Sequence, residues 1–500
     1  MTDMLANLAL GFQVALAPLN LVHCLIGVLL GTLIGVLPGI GPLATIAMLL
    51  PITFYLPPES ALIMLAGIYY GASYGGSTTA ILVNMPGEAS SVITCIDGYQ
   101  MARQGRAGPA LAIAALGSFF AGTVGTLLVA TFSPPLAAAA LRFGPWEYFS
   151  LMLLGLIATV VLAQGSLLKA VAMVLLGLLL GLVGTDVNTG VARFTFGLPA
   201  LADGIGFVVV AVGIFGFAEI ISNLMGPLRR EVFTSNVRDL MPTRADLLAS
   251  WGAVGRGTAI GSLLGVLPGS GQLMASFASY AVEKKLAADP SRFGKGAIEG
   301  VAGPESANNA SAQTSFVPML TLGIPSNAVM ALFIGGMIIQ GIQPGPQVIT
   351  QQPQLFWGLI ASMWIGNLML VLLNLPLIGI WISVLKVPYR LLFPAILLFS
   401  CVGVYSFNNS AFDVLLTAMF GIVGFVFLRL GCEISPFMLA FILGPMLEEN
   451  LRRAMLLARG DATTFMTRPI SLALLLASAA LLVLVIAPRI RRKRREVFTE

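Results

Sequence analysis

The chain has 500 residues, of which 57% are hydrophobic and 10% are charged, and its formal net charge is +5. Soluble domains carry roughly 25% charged residues, so this composition excludes an ordinary water-soluble domain. A helix that crosses the hydrocarbon layer needs about 20 mostly apolar residues, and about a dozen such segments predict an all-α polytopic membrane protein. They lie near 20–37, 42–56, 60–83, 108–132, 147–163, 167–184, 205–225, 257–281, 314–340, 355–382, 391–430 (two segments), 434–447 and 470–488.

The first apolar segment contains an irregular string, GTLIGVLPGIG, at 31–41. Relative to Ala, Gly costs about 1 kcal/mol and Pro about 3 kcal/mol inside a helix. Both suit a tight turn, which a membrane tolerates only where protein or water surrounds the backbone. The string therefore predicts a re-entrant hairpin with its tip near 38–42, at Pro38, Gly39 and Gly41. The alternative is that the glycines serve packing alone.

Almost the same string, GSLLGVLPGSG, returns at 261–271 and predicts a second tip near 268–272, at Pro268, Gly269 and Gly271. Further along each half, ILVNMPGEAS (81–90) corresponds to MLTLGIPSNA (319–328), which pairs Pro86 with Pro325. The chain is therefore divided into a first repeat (1–228), a linker (229–256), a second repeat (257–488) and a basic tail (489–500).

Glycines at four-residue spacing precede both tips, and such a stripe of small residues lets two helices approach closely. The first stripe is Gly27, Gly31 and Gly35, and the second is Gly257, Gly261 and Gly265.

The distribution of Lys and Arg indicates how the two repeats are oriented. Basic residues favour the cytoplasmic side, and they concentrate in 229–256, in 283–295 and in the tail. Residues 1–18 and 55–60 contain none. We therefore expect a periplasmic N-terminus, a cytoplasmic C-terminus and two repeats of opposite orientation. Inverted repeats are typical of secondary transporters.

Each repeat also contains a polar, Gly-rich stretch, at 71–91 and at 303–328, in which a broken helix is expected. Hydroxyls, amides and freed backbone groups suit a small anion and its coupling cation. The alternative is that these side chains form hydrogen bonds between packed helices. The candidates are Ser77, Thr78, Asn84 and Pro86 in the first stretch, and Glu305, Asn308, Asn309, Ser311, Pro325 and Asn327 in the second.

Acidic residues near the membrane are few, and a carboxylate inside a membrane is by default a candidate for proton or cation coupling. Glu305 and Glu88 are the most promising because each lies in a polar stretch, although both could be helix-start or loop carboxylates. The others are Glu59, Asp97, Glu219, Asp413 and Glu433. A further segment, 443–461, is interpreted as a solvated interfacial helix or as a docking surface for a soluble partner.

Enzymatic and ATP-driven functions lack their motifs. The only histidine is His23, which has no carboxylate at ligand spacing, and no GxxxxGK[ST] string is present. Four cysteines without metal-ligand spacing are interpreted as packing residues. We therefore expect no catalytic residues and no cofactor. Na⁺ or H⁺ is the expected coupling ion, and Na⁺ would bind at the helix breaks. A passive channel or membrane scaffold for small anions is the alternative.

Several long strings resemble the TctA family, the large membrane subunit of the tripartite tricarboxylate transporters. They are GVLPGIGP (35–42), YGGSTTAILVNMPGEASS (74–91), DGYQMARQGRAGPAL (97–111), PESANNASAQTSFVPMLTLGIPSNAVMALF (304–333) and GPMLEENLRR (444–453). The resemblance implies a bacterial inner-membrane permease that imports citrate or other carboxylates on an ion gradient. It also implies a small four-helix membrane subunit (TctB-like) and a periplasmic substrate-binding protein (TctC-like) as partners.

The expected plan of hairpins and broken helices is similar to that of elevator-type carboxylate carriers. In those carriers hairpin tips meet broken helices around substrate and Na⁺. By that analogy the site comprises 38–42 and 268–272 together with the polar candidates named above.

Overall fold

A computed structural model describes residues 2–37, 41–163, 166–186, 189–225, 240–267, 271–384 and 389–486. The first half forms helices α1 (Thr2–Ala15), α2 (Pro18–Val36), α3 (Pro42–Thr53), α4 (Pro58–Val83), α5 (Val92–Arg103), α6 (Ala107–Ala140), α7 (Pro145–Leu162), α8 (Leu167–Gly181), α9 (Phe207–Ala211) and α10 (Ala218–Leu224). A π-helical turn, Val212–Phe217, joins α9 to α10. A short antiparallel pair, β1 (Gly184–Thr185) and β2 (Ala192–Arg193), follows α8.

The second half forms α11 (Arg244–Gly265), α12 (Gly271–Leu286), α13 (Glu299–Thr314), α14 (Phe316–Leu322), α15 (Ala328–Ile339), α16 (Gln347–Gln351), α17 (Pro353–Asn374), α18 (Ile378–Val384), α19 (Tyr389–Asn408), α20 (Ala411–Arg429), α21 (Ile434–Leu457), α22 (Thr464–Thr467) and α23 (Pro469–Ile486). Single 3-10 turns lie at Ala89–Ser91, Pro199–Leu201 and Pro290–Arg292. Five described helices are long and apolar enough to cross a membrane: α2, α6, α7, α17 and α20.

The helix bounds correct several predicted segments. The predicted span 314–340 is interrupted at 323–327, and 355–382 divides into α17 and α18. The segment 391–430 does form two helices. Residues 443–457 continue α21 and do not form a separate interfacial helix.

The linker prediction is also too long at its C-terminal end, because α11 begins at Arg244. Thr243 and Asp246 form a capping box there, in which each side chain accepts a hydrogen bond from the other's backbone N–H. The start of α11 was not predicted, because the arginines of this stretch suggested a charged loop. Residues 226–239 and the basic residues of the tail lie outside the described residues.

The glycine stripes pack helix against helix at backbone distance. A Cβ added to Gly27, Gly31 or Gly35 on α2 would overlap the carbonyl oxygen of Met64, Ile68 or Ala72 on α4. In the second half a Cβ on Gly257, Gly261 or Gly265 of α11 would overlap backbone or side-chain oxygens of α13, at Gly303, Ala307, Ser311 and Thr314. In each pair the residue numbers in contact increase in the same direction along both helices, so the two helices run parallel. The close approach predicted from the spacing is confirmed.

The core lies where the two halves meet. Tyr69 and Tyr70 of α4 pack against Phe316 of α14, with ring centroids 6.4 Å and 6.2 Å apart. Phe316 in turn contacts Phe333 of α15 edge-on at 5.1 Å. All four rings are buried, and these separations are those of favourable aromatic pairs.

A polar contact joins the halves near the start of α11. Arg106, just before α6, forms an ion pair with the capping residue Asp246. Burial alone would raise the pKa of Asp246, but hydrogen bonds from Thr243 and the positive charge of Arg106 outweigh it and lower the pKa. This carboxylate is therefore ionised and tied to both halves.

Gly261→Ala should separate α11 from α13, because the added methyl group meets the Ala307 carbonyl oxygen. Overpacking of this kind costs about 1–3 kcal/mol. We expect a lower melting temperature for the purified protein in detergent. Gly255→Ala on the same helix is the matched control: nothing lies within 4 Å of its added Cβ, and the higher helix propensity of Ala favours it by about 1 kcal/mol. Equal melting temperatures for the two variants would contradict the packing role.

Candidate functional site

Each half contains a helix that stops and is followed, after a short break, by another helix. α4 ends at Asn84, which has φ 57° and ψ 33°, and α14 ends at Gly323, which has φ 70° and ψ 22°. Four residues after each stop, Glu88 and Asn327 adopt an extended backbone at the N-cap position, with φ −144° and −153°. The members of each pair are 239 positions apart, as are Pro86 and Pro325.

These bounds correct the predicted positions of the breaks. The prediction extended them over 71–91 and 303–328. α4 is continuous through Val83, and α13 is continuous to Thr314. Ser77, Thr78, Asn308, Asn309 and Ser311 therefore lie on intact helical turns, and the irregular backbone is confined to 84–91 and 323–327. Ser and Thr on a buried helix can bond to the carbonyl four residues back, as Thr78 does to Tyr74 at 3.3 Å, so a polar sequence does not require a break.

The helices that carry these polar residues cross between the halves. Tyr70 contacts Phe316, and seven residues later along α4 Ser77 donates to Glu305 at 2.5 Å. The partner positions decrease as the α4 positions increase, so α4 and α13 run antiparallel where they touch. Two corresponding helices that meet in opposite directions are what an inverted repeat requires.

Glu305 lies in this contact and is 1% exposed. Its carboxylate accepts hydrogen bonds from the hydroxyls of Ser77 and Thr94, both in the first half. Among the described residues no ion pair neutralises it. A buried carboxylate held by neutral donors alone is costly in a membrane, and this cost is the physical reason to suspect a role for it.

Glu88 is the second buried carboxylate of the contact, at 7% exposed. Its Oε1 accepts from Ser90 at 2.6 Å and from the Asn308 amide at 2.8 Å. Its Oε2 accepts from Ser73 at 3.4 Å, and Ser73 accepts from Gln272 at 3.3 Å. The first break, α4, the second hairpin and α13 are thus joined by one hydrogen-bonded group.

A cavity of about 780 Å³ opens beside this group and receives residues from both hairpins and both breaks. The hairpins contribute 41–43 and 271–274, and the breaks contribute 86–90 and 327–329. The remaining wall comes from α7, the π-helical turn, α10, α20 and α21: Leu162, Ile214, Phe215, Glu219, Ser222, Leu428, Gly431, Cys432, Glu433, Ile434, Ser435 and Leu439. We call this space the central cavity.

The structure brings part of the predicted set to the central cavity. The predicted residues that line it are Gly41, Pro42, Pro86, Gly271, Gln272 and Asn327, and Asn308 touches it through Glu88. Four predicted residues, Pro38, Gly39, Pro268 and Gly269, lie outside the described residues.

The other predicted residues lie elsewhere. Ser77 and Thr78 line a separate narrow cleft against α6 and α18. Asn309 donates to Ser118 on α6 at 2.7 Å, and Ser311 packs under Gly265. Asn84 and Pro325 shape the breaks without lining the cavity, and Asn84 faces outward.

Sequence reasoning left several cavity residues out of its site. Glu219 and Glu433 appeared only as acids near the membrane, yet both line the cavity. Ser90 donates to Glu88 and was not among the candidates. Gln272 was inside the predicted range 268–272, and it donates to Ser73. Glu219 had no usable signal, because its helix shows no repeat or break in the sequence.

The chain matches the family described as the tripartite tricarboxylate transporter TctA family over residues 21–439. The chain belongs to this family. It is 61% identical over 500 residues to an uncharacterized 52.8 kDa protein in the TAR-I ttuC′ 3′ region of Agrobacterium vitis, with both chains covered in full. It is 62% identical over 240 residues to an uncharacterized protein in the TAR-II ttuC′ 3′ region of the same organism, covering 48% of this chain and 99% of the relative. No solved structure matches it.

Membership in the family makes this chain a membrane protein of a transporter family that belongs to tripartite systems. The charge of the central cavity is informative in that setting. Glu88, Glu219 and Glu433 line it, and no Lys, Arg or His does so among the described residues. A carboxylate substrate in this cavity would meet acidic side chains and no basic one among the described residues, so it needs backbone N–H groups, hydroxyls or accompanying cations.

Asn308→Ala should impair transport more than Asn309→Ala, although the two amides are adjacent. The first substitution removes one of the two donors to Glu88 Oε1 beside the cavity, and a lost hydrogen bond costs about 0.5–1.5 kcal/mol. We expect a roughly tenfold lower initial rate of labelled tricarboxylate uptake into proteoliposomes. Asn309→Ala removes a bond to Ser118, away from the cavity, and should change uptake per folded molecule by less than about twofold. The reverse order of effects would exclude this placement of the site.

Proposed function

We propose that this chain is the large permease subunit of a binding-protein-dependent secondary transporter that imports a tricarboxylate or related carboxylate. It would act in the bacterial inner membrane, with the N-terminus in the periplasm and the C-terminus in the cytoplasm. Its proposed partners are a small four-helix membrane subunit and a periplasmic substrate-binding protein. The observation that carries the proposal is the single cavity lined by both hairpin flanks and both helix breaks.

The breaks supply groups that suit an anion. Backbone N–H groups at a helix start point away from the helix and carry partial positive charge. α15 starts at Ala328, and Ala328 and Val329 line the cavity beside the cap residue Asn327. In the proposed mechanism a substrate carboxylate binds near the start of α15. The partial positive charge of the N–H groups there compensates for the lack of basic side chains among the described cavity residues.

The carboxylates supply groups that suit a coupling cation. Asn308 gives its amide hydrogen to Glu88, while its Oδ1 is buried and has no hydrogen-bond partner among the described residues. The Ser311 hydroxyl, one turn further along α13, is likewise buried without a partner in the described chain. Oxygen atoms of these types are ligands for Na⁺, and a carboxylate is also a proton acceptor. The proposed coupling ion is therefore Na⁺ or H⁺, held between Glu88 and α13.

The glycine-packed pairs suggest the moving unit. α2 with α4 and α11 with α13 are locked at backbone distance, so we expect each pair to move as a rigid body. The wall formed by α10, α20 and α21 offers a separate surface for them to slide against. This gives an elevator-like transport cycle built on two inverted repeats.

Coupled uptake provides the main test. The chain, the small subunit and the binding protein are reconstituted into proteoliposomes and supplied with labelled citrate and a panel of dicarboxylates. We expect uptake that requires the binding protein and stops when ionophores collapse the Na⁺ and H⁺ gradients. Uptake that needs neither the binding protein nor an ion gradient would indicate a passive channel. If no carboxylate is taken up, the proposed substrate class is wrong.

Opposite orientation of the two repeats is tested by labelling single cysteines in intact cells. Pro57→Cys before α4 and Ala288→Cys after α12 are placed in a chain whose four native cysteines are Ser. Both positions are exposed. An impermeant maleimide should label position 57 from outside and position 288 only after permeabilisation. Labelling of both from one side contradicts the inverted arrangement.

A further inference from the structure

The buried carboxyl group of Glu305 meets hydroxyl groups whose hydrogen bonds can reverse. Its Oε2 lies 2.5 Å from the Ser77 hydroxyl, and its Oε1 contacts the Thr94 hydroxyl. The Ser77 hydroxyl also lies 2.9 Å from the Ser73 carbonyl oxygen, although it has a single hydrogen to donate. When Glu305 is ionised, Ser77 gives that hydrogen to Oε2. When Glu305 is neutral, Oε2 donates to Ser77, and Ser77 donates to Ser73. The contact therefore fits Glu305 with or without a proton.

The other buried carboxyl group of the contact, Glu88, is less suited to a proton. One partner of its Oε1 is the Asn308 amide, 2.8 Å away, which has hydrogens to donate and cannot accept one. A proton on Oε1 would oppose that contact. Its Oε2 lies 3.4 Å from the Ser73 hydroxyl, which is long for a hydrogen bond between two oxygens. Glu305 is therefore the better host for a proton.

A narrow cleft reaches the Ser77 hydroxyl from outside the central cavity. It lies between α4, α6 and the junction of α17 and α18, and its free volume of about 10 Å³ is close to what one water molecule needs. Ser77 lines this cleft and does not line the central cavity. The polar residues of the cleft, which suit a hydrogen-bonded water, are Tyr74, Ser77, Thr78, Ser118 and Asn374.

Asn374 supplies an unused hydrogen-bond acceptor to this cleft. Its side chain is buried, and its amide donates to the Leu370 carbonyl oxygen at 2.9 Å. Its Oδ1 has no hydrogen-bond partner among the described residues. Because an unsatisfied buried acceptor costs about 1–3 kcal/mol, this oxygen favours a water or hydronium in the cleft.

The cleft follows one face of α6 toward the first turn of that helix. The α6 residues that line it span about 10 Å along the helix axis and are Leu111, Ala114, Ala115 and Ser118. Arg106 lies just before α6, and basic residues favour the cytoplasmic side. The cleft thus extends from the contact between Ser77 and Glu305 toward the expected cytoplasmic side.

The titratable groups around Glu305 come from three directions. Those that interact with it electrostatically are Tyr74 on α4, Cys95 on α5 and Glu88 after the first break. Two further acids meet α13 nearer its start, and each has its own partners: Asp97 (Tyr280 and three backbone N–H groups) and Glu283 (Arg256). α6 and α14, which also contact α13, contain no titratable residue. The proton equilibrium of Glu305 is therefore linked mainly to that of Glu88.

We propose that Glu305 binds the coupling proton and exchanges it through this cleft, apart from the route of the carboxylate. In the binding direction a hydronium in the cleft gives a proton to Ser77 Oγ and becomes water. Ser77 gives its own hydrogen to Oε2 of the ionised Glu305, which becomes a neutral carboxyl group. Release follows the same steps in reverse. This inference rests on the proposed ion-coupled function and selects H⁺ as the ion at Glu305.

An apolar carbodiimide tests the proton site without transport. Dicyclohexylcarbodiimide adds to neutral carboxyl groups, and mass spectrometry of peptides from the purified full-length chain locates the adduct. We expect an adduct at Glu305 whose rate of formation falls about tenfold per pH unit above the midpoint of the titration. Replacing choline by Na⁺ at constant pH should leave this rate unchanged.

Glu305→Gln is the control for the assignment, because its amide keeps the shape of the neutral carboxyl group. It should lose this adduct and retain the adducts at other carboxyl groups. Absence of a Glu305 adduct at every pH, or protection of Glu305 by Na⁺, overturns the proton site.

Filling the cleft tests the route. Ala115 is buried and lines the cleft, so Ala115→Leu should obstruct it. In proteoliposomes that transport a tricarboxylate, we expect gradient-driven net uptake to fall roughly tenfold relative to exchange in the same vesicles, because exchange requires no release of the proton. Ala139→Leu, at an exposed position of the same helix, is the matched control and should keep this ratio within about twofold of the parent. Ala115→Val adds less volume and guards against misfolding. Equal ratios for the Ala115 and Ala139 variants overturn the route.

The two measurements separate this inference from the function it deepens. If the parent transports no carboxylate while the Glu305 adduct still titrates with pH, the proposed function is wrong and the proton site stands. If the parent transports a carboxylate but Glu305 forms no pH-dependent adduct, the proton site is wrong and the proposed function stands.

Discussion

Backbone that leaves a helix inside a membrane must be enclosed by protein or water, and in this chain glycine packing positions the helices that carry the breaks. Each stripe on α2 or α11 meets a row of oxygens with the same four-residue period on α4 or α13. A shift of one residue along either pair would bring side chains into the contact, so the register is fixed. The hairpin arms are thereby set at a defined height beside the helices that carry the breaks.

The same register explains why two hairpins and two breaks reach one cavity. α4 and α13 touch each other in opposite directions, and each is locked to its own hairpin arm. Polar groups of one half then meet those of the other: Glu305 lies against Ser77 and Thr94, and Glu88 against Asn308. Burying two carboxylates without an ion pair is costly, and stability alone gives no reason to keep them.

The backbone features were the part of this fold that could be predicted from the sequence. Gly lacks a Cβ and tolerates positive φ, whereas Pro lacks a backbone N–H and has a fixed φ. The LPG strings and the glycine stripes can therefore be interpreted from the local sequence alone. The exact ends of the breaks were missed because Asn84 and Gly323 adopt the same left-handed conformation with different side chains. The start of α11 was missed because its capping box lies among arginines.

Cavity residues outside the repeated LPG strings and polar stretches could not be placed in the site from the sequence. Glu219 reaches Gly41 from 178 positions away, across helices whose packing no local pattern encodes. Asn309 illustrates a second limit: the polar stretch marks it as strongly as Asn308, while the turn of the helix directs its amide to Ser118. A polar cluster on a buried helix indicates that a site is near, but helix rotation decides which of its members face the site.

The two halves share the backbone pattern of a helix stop followed by an extended N-cap residue, but they differ in their acidic side chains. The N-cap position after the break is Glu88 in the first half and Asn327 in the second. The hairpin flank meets the Glu219 carboxylate in the first half and the Asn327 amide in the second. Similar backbones therefore carry carboxyl groups in the first half where the second half carries an amide. A site built in this way can hold both ions of a coupled pair without a basic side chain.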